Sequence, residues 1–205
     1  RRTLEPSPGA AGKGHDRFAA AAADVLREWI DRDALEIVVA HPLTTSRFRL
    51  AGVERIDADE ATVTLAGHTP AKGEAGALPE GTRYRIENVR EALGEPGSWF
   101  LDEKEGTLEY CPRDGETPEA TEVIAPRLDT LLALRGGAAE SKRLAHVRLE
   151  GLSFEHGAWA LPTLGQSFPR GDLNVGAAVT VSAASVVTLV RCGVRHVGRY
   201  GVALG

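Results

Sequence analysis

The sequence lacks methionine altogether and holds few cysteines and aromatic residues. Among its 205 residues, two are cysteines and 5% are aromatic, and even residue 1 is not methionine. A natural full-length product begins with methionine, and this chain closes on the apolar run GVALG, so we expect an excerpt of a longer chain. No apolar run approaches the roughly 20 residues that a membrane-spanning helix needs. The first 15 residues also lack the apolar segment of a signal peptide.

The two cysteines are too few and too far apart for a disulfide-rich scaffold. Neither Cys111 nor Cys192 belongs to a C-x-x-C pair, the spacing typical of metal and redox sites. Cys192 falls within an apolar strand pattern, where a small buried thiol is the simplest interpretation. Whether the two cysteines pair with each other stays open.

The net charge of −5 is unevenly distributed. Residues 1–120 carry 15 basic and 23 acidic groups, a net −8, whereas residues 121–205 carry 9 and 6, a net +3. Neither part has the dense basic stripe of a nucleic-acid-binding protein, so we expect no nucleic-acid partner. The change of sign near residue 120 coincides with a change in the sequence pattern.

Residues 1–33 are predicted to be a linker and a short helix. The first 15 residues are rich in Gly, Pro and Ala, and Asp16 is suited to cap a helix through FAAAAADVLREWI. Residues 34–118 then contain short, partly alternating segments rich in β-branched residues, which predict antiparallel strands. SWFLD and TLEYC flank EKEG and predict a hairpin. We therefore predict a β-sandwich-like domain over 34–118, with Trp99 and Tyr110 in its core.

Residues 119–205 repeat with a constant offset of 40, which aligns Val147 with Val187, Leu149 with Leu189 and Phe154 with Val194. Stacked apolar positions are what the coils of a solenoid need, since each coil is stable only when its neighbours cover it. The Pro- and Gly-rich segment 157–176 accounts for the length of the repeat as a protruding loop. The sequence thus predicts an all-β protein, a right-handed parallel β-helix that is incomplete at its C-terminus, with the sandwich inserted or N-terminal.

The same offset aligns His156 with His196 and predicts two stacked imidazoles at a corner of the coil. One interpretation is a face that contacts substrate or assists proton transfer; the other is a pair of turn-capping histidines bonded to backbone carbonyls. Glu155 is the carboxylate best placed beside them. These three residues are the catalytic candidates.

Trp159, Tyr200 and Asp172 are the substrate-binding candidates. Aromatic faces often carry sugar rings, although Trp159 is equally suited to packing the loop on the solenoid. Two stacked histidines lack a third ligand at suitable spacing, so we expect no metal site. The acidic hairpin end near Asp102 is interpreted as solvated, and calcium, though conceivable there, is not indicated.

Several irregular spacings together resemble bacterial right-handed parallel β-helix proteins, glycoside hydrolase family 141 and related polysaccharide-active proteins. The motifs are Glu87-Asn88, Glu91-Ala92-Leu93, Pro96-Gly97, Trp99-Phe100-Leu101-Asp102, and Gly106 through Pro112. The resemblance implies an extracellular or periplasmic protein with a polysaccharide or glycan as its partner. It also implies further coils after Gly205, where the acid and base carboxylates are expected.

The function expected from this resemblance is glycoside hydrolysis by a carboxylate pair on adjacent rungs. The first alternative is a non-catalytic carbohydrate-binding or surface structural module. The second is a polysaccharide lyase, which needs a lysine or arginine as catalytic base and usually calcium. Residues 119–205 hold a single lysine, Lys142. The sequence names neither the sugar and linkage nor the oligomeric state.

Overall fold

The computed structural model describes residues 2–3, 14–25, 34–42, 44–70, 78, 81–137, 139–167 and 175–205. These residues form strands and three short 3-10 helices, Ala22–Asp24, Arg90–Ala92 and Glu140–Lys142, so the predicted all-β class is confirmed. None of the helices in the described ranges has the length and apolar character needed to cross a membrane.

The chain divides into two compact units. The first, here the N-terminal unit, comprises Arg1–Thr121 together with Leu161–Asp172. The second, here the C-terminal unit, comprises Glu122–Ala160 and Leu173–Gly205.

The N-terminal unit is built on one six-stranded antiparallel sheet of order β1-β2-β5-β4-β3-β6. The first half of the long strand β4 pairs with β3 and its second half with β5, with a bulge between Leu50 and Gly52. The sheet therefore curls around its own apolar core. Antiparallel strands predicted within residues 34–118 are thus found in this curled sheet. Its strands are β1 (Arg2–Thr3), β2 (Arg17–Ala21), β3 (Glu36–Ala40), β4 (Thr45–Arg55), β5 (Glu60–Leu65) and β6 (Arg83–Glu87).

The predicted helix is wrong over residues 18–21, which belong to strand β2 (Arg17–Ala21). Phe18 lies opposite Val63 of β5, and Phe18, Ala19 and Ala20 are buried. Burial in the sheet outweighs the helix preference of alanine, which amounts to only tenths of a kcal/mol per residue. Only the turn Ala22–Asp24 is helical, of the 3-10 type, and residues 26–33 lie outside the described part of the chain.

The predicted hairpin is confirmed: β7 (Trp99–Asp102) pairs antiparallel with β8 (Thr107–Tyr110). Gly106 takes the left-handed φ of +68° that closes the turn. The expectation that Trp99 is a core residue is wrong, because its exposed fraction is 59% whereas that of Phe100 is 1%. Successive side chains of a strand point to opposite faces, so Phe100 is buried at the expense of Trp99. Tyr110 is half-buried, and its hydroxyl donates to Glu116 over 2.5 Å.

The Asn88 side chain fastens this hairpin to the rest of the N-terminal unit. Its Nδ2 donates to the carbonyls of Ala34 and Leu101, at 3.3 and 3.1 Å, and its Oδ1 accepts from Leu101 N at 3.0 Å. Asn88 also has φ +56°, a region that asparagine tolerates better than most residues. One side chain thus pairs with the backbone of β7 as a neighbouring strand would.

Replacing Asn88 by glycine is expected to lower the free energy of unfolding by about 2 kcal/mol, since three hydrogen bonds are lost and no backbone strain is added. Asn88→Ala should cost about 1 kcal/mol more, because alanine at positive φ is strained. Urea unfolding followed by circular dichroism measures both differences. A glycine variant as stable as the original chain would show that these bonds contribute nothing.

The C-terminal unit contains three parallel sheets: β10 with β13, β11 with β14, and β12 between β9 and β15. The predicted apolar ladder is confirmed, because Val147 lies opposite Val187, Leu149 opposite Leu189 and Phe154 opposite Val194. Residues 121–126 form no strand. The strands are β9 (Leu132–Arg135), β10 (Leu144–Glu150), β11 (Ser153–Gly157), β12 (Ala177–Ser182), β13 (Ala184–Val190), β14 (Gly193–Val197) and β15 (Tyr200–Leu204).

The segment predicted as a protruding loop, 157–176, does not stay within the C-terminal unit. Leu161–Asp172 belongs to the N-terminal unit, where Gln166 forms an antiparallel bridge with Arg47 of β4. Gly165, at φ +74°, packs so closely on Phe48 that a Cβ would overlap the aromatic ring. The loop thus supplies part of the covering of the curled sheet.

Candidate functional site

His156 of β11 and His196 of β14 stack on each other. Their ring centroids are 5.2 Å apart and their planes differ by 6°, so the predicted stacking is confirmed. Parallel pairing of β11 with β14 at an offset of 40 residues brings the two rings together. The stack lies within a single sheet, which fixes both rings on one scaffold.

Both histidines have left-handed backbones, with φ +59° at His156 and +52° at His196. The same conformation recurs one strand earlier at His146 and Val186, with φ +57° and +52°. A left-handed residue inside a strand bends the backbone and interrupts the regular alternation of side chains. Such a conformation costs roughly 1–2 kcal/mol for a residue with a Cβ, and because it recurs at His146 and Val186 it is a feature of the repeated strands and not of the imidazole stack alone.

Neither imidazole forms a hydrogen bond with any residue that the structure describes. The closest polar partner is Glu155, whose Oε2 is 3.8 Å from Nε2 of His156, beyond hydrogen-bond distance. The alternative in which these histidines cap turns by bonding backbone carbonyls is therefore wrong for the described chain. His156 is half-buried and His196 is exposed, so the stack is partly accessible from solvent.

Glu155 forms an ion pair with Arg195, the residue opposite it in the neighbouring strand. Oε1 of Glu155 and Nη2 of Arg195 are 2.6 Å apart. The hydrogen bond from Arg195 lowers the pKa of the Glu155 carboxyl, and the same bond raises the pKa of Arg195. A carboxylate held ionised in this way is unsuited to act as a general acid near neutral pH. The offset of 40 places residue 195 opposite residue 155 (155 + 40), so the pairing could have been predicted from the sequence but was not.

Two further acidic side chains of the C-terminal unit, Glu150 and Asp129, also pair with arginines. Glu150 bonds Arg148, with Oε2 2.8 Å from Nη2, and also pairs with Arg191. Asp129 pairs with Arg199 at 2.8 Å. In the strand registers of the described C-terminal unit, no two carboxylates face each other. The pair required for glycoside hydrolysis is therefore not formed by these strands.

The three substrate-binding candidates have different environments. Trp159 follows β11 and packs on Gly198, where an added Cβ would lie 2.6 Å from the tryptophan Cβ. Gly198 is two residues beyond His196, so Trp159 lies at the same end of this sheet as the imidazole stack. Tyr200 is 44% exposed but belongs to a different sheet, through β15. Asp172 lies outside the described residues.

A polar chain in the N-terminal unit links His41, Ser46 and Ser167. Nε2 of His41 is 2.8 Å from Oγ of Ser46, which is 2.6 Å from Oγ of Ser167. Burial lowers the pKa of His41. Ser46 is completely buried, so its hydroxyl is not accessible to a substrate. These hydrogen bonds instead connect Ser167 to β4.

Across the described ranges, no group of three or more His, Cys, Asp or Glu side chains is arranged to hold a metal ion.

Comparison with known proteins gives one informative result. No family model and no curated protein matches the sequence. A solved structure named "Glycoside hydrolase" superposes with a TM-score of 0.79 and 22% sequence identity. The chain shares that protein's fold. The superposition covers 98% of this chain and 40% of the other, so the chain spans less than half of that protein's length.

Proposed function

We propose that this chain is the glycan-binding part of a carbohydrate-active protein and that the imidazole stack of His156 and His196 contacts the glycan. The proposal is carried by one observation: two accessible, stacked rings whose nitrogens have no hydrogen-bond partner in the described chain. Imidazole nitrogens donate to or accept from hydroxyl groups, the commonest polar groups of a sugar. The likeness to a protein named glycoside hydrolase supports the same substrate class.

We further propose that the three parallel sheets are the faces of a right-handed parallel β-helix of the kind found in glycoside hydrolase family 141. The chain visits the sheets in a constant order, since β12, β13 and β14 return to the sheets of β9, β10 and β11, and β15 returns again to that of β12. Parallel crossover connections are right-handed in nearly all proteins, which supports the hand. An extracellular or periplasmic location belongs to the same proposal and is checked by fractionating cells that produce the protein.

Binding is tested with the full chain against a panel of plant and bacterial polysaccharides, by affinity electrophoresis and then by calorimetry. We expect the double variant His156→Asn/His196→Asn to bind its preferred glycan at least about tenfold more weakly, a loss of about 1.4 kcal/mol. Asparagine is chosen because it tolerates the left-handed backbone at both positions.

The matched control is His146→Asn. His146 is exposed, and its backbone is left-handed like that of the stacked histidines, but the residue 40 positions further along is Val186, so it forms no imidazole pair. Its replacement should leave glycan affinity unchanged. Unchanged affinity in the double variant, or an equal loss in the control, would contradict a role for the stack.

Hydrolysis of a glycosidic bond is the second candidate function, favoured by the name of the structural neighbour. Its carboxylate pair on adjacent rungs is not supplied by Glu155, whose partner is Arg195. Reducing-sugar release from the same panel tests this function, and release that survives Glu155→Gln would assign catalysis to other carboxylates. A lyase would instead yield an unsaturated product that absorbs ultraviolet light. Binding of a polysaccharide without release of either product would favour the non-catalytic carbohydrate-binding module.

A further inference from the structure

We infer that the glycan bound by the imidazole stack is anionic, bearing carboxylate or sulfate groups. This inference rests on the proposed function and names its substrate class. It follows from the charges around His156 and His196, from the geometry of the two rings, and from the hydrogen-bonding chemistry of protonated imidazole.

The imidazole stack shares its neighbouring carboxylate with an arginine. Glu155 is the nearest carboxylate, but it bonds Arg195 over 2.6 Å and remains 3.8 Å from His156. Strand β12 carries no titratable side chain and β15 carries only Tyr200. Arg199, in the turn after β14, pairs with Asp129. Within the described surroundings, the Glu155 carboxylate therefore faces both Arg195 and His156, and one negative charge cannot offset the positive charges of Arg195 and of a protonated stack together.

The geometry couples the two rings. Histidine side chains change charge between about pH 5 and 8, and two positive charges with centroids 5.2 Å apart repel each other. A ligand anion that contacts both rings offsets this repulsion and stabilises the protonated stack. By linkage, binding of the anion must then take up protons, and its affinity must rise as the pH falls through this range.

Protonated imidazole selects for an acceptor. Both of its nitrogens donate and neither accepts, whereas carboxylate and sulfate oxygens only accept. Because the ring planes differ by only 6° and the centroids are 5.2 Å apart, the N–H groups of the two rings lie in nearly parallel planes, close enough for one ligand with several anionic oxygens to reach both rings. Charge-assisted hydrogen bonds of this kind are about twice as strong as neutral ones. A neutral sugar hydroxyl donates as well as accepts, so it gains much less from protonation.

The test is calorimetry of the full chain with oligogalacturonate, a sulfated oligosaccharide and a neutral oligosaccharide, at pH 5.5 and pH 8. Buffers of different ionisation enthalpy report proton uptake. We expect at least one anionic glycan to bind about tenfold more tightly at pH 5.5 than at pH 8, with uptake of about one proton per site. The affinity for the neutral oligosaccharide should be the same at both pH values. Added salt should weaken the anionic complex.

The variants separate this inference from the proposed function. His156→Asn/His196→Asn should abolish both the pH dependence and the proton uptake, and His146→Asn should retain both. Stack-dependent binding of neutral glycans without preference for anionic ones would overturn the inference and leave the proposed function standing. A pH dependence that persists in the double variant would also overturn it. Failure to bind any glycan would overturn the proposed function itself.

Discussion

Replacing Ile37 by alanine is expected to lower the free energy of unfolding of the N-terminal unit by about 4 kcal/mol. Ile37 is completely buried in β3, directly between Phe48 of β4 and Ile86 of β6. Removing its side chain leaves a cavity in the middle of this three-strand row. The rigid sheet on both sides cannot close that cavity. The variant therefore loses the favourable free energy of transferring the isoleucine side chain from water into the core, and the residues around the cavity also lose van der Waals contacts.

The matched control is Ile56→Ala, the same chemical change in the same unit. Ile56 follows β4 and is 49% exposed, so its replacement should cost less than about 1 kcal/mol. Denaturant unfolding gives the difference in free energy, and hydrogen exchange of the β3 and β4 amides shows where protection is lost. Similar costs at the two positions would mean that the curled sheet does not enclose the main core of this unit.

The strands of both units were largely predictable because their patterns are local. Alternation and β-branched residues marked β3, β4 and β5, and the EKEG turn marked the hairpin. The repeat at an offset of 40 gave the register of β10 with β13 and of β11 with β14, since equivalent positions in a repeat stack on one another. That register alone sufficed to predict the stack of His156 and His196.

Features that depend on contacts distant in sequence were not predictable. The alanine-rich run after Arg17 favours a helix in isolation, and only pairing with β5 explains why it is a strand. Nothing near Gln166 signals its bridge to Arg47, 119 residues away (166 − 47), which draws the segment into the N-terminal unit. The exposure of Trp99 likewise depends on which face of the hairpin the unit covers.

At the candidate site, one interaction was within reach of the sequence and was missed. Comparing only apolar positions and histidines across the repeat left Glu155 as a free carboxylate. Applying the same offset to charged residues pairs it with Arg195 and changes its expected chemistry from proton donor to ion-pair partner. The absence of hydrogen bonds to the imidazoles within the described chain, by contrast, required the three-dimensional arrangement.

The strongest single-residue effect in the C-terminal unit is expected at Gly136, where alanine should cost about 3 kcal/mol or more. Gly136 follows β9 and donates to the carbonyl of Ser182 over 3.0 Å, while Leu144 N donates to the next carbonyl, that of Ala183, over 3.1 Å. A Cβ at residue 136 would overlap the Ala183 oxygen and lie 2.5 Å from Leu144 N. Relief requires moving backbone, so both hydrogen bonds between successive passes of the chain are weakened together.

Gly193→Ala is the control in the same unit, because Gly193 is not left-handed and the nearest atom to an added Cβ is Ser153 Oγ at an ordinary 3.6 Å. It should change the free energy of unfolding by no more than about 0.5 kcal/mol, with alanine favoured by its smaller loss of chain entropy. Hydrogen exchange of the β9 and β12 amides should rise sharply in Gly136→Ala alone. Equal stability of the two variants would contradict this account, because it would show that β9 and β12 keep their register without the close approach of residue 136 to Ala183.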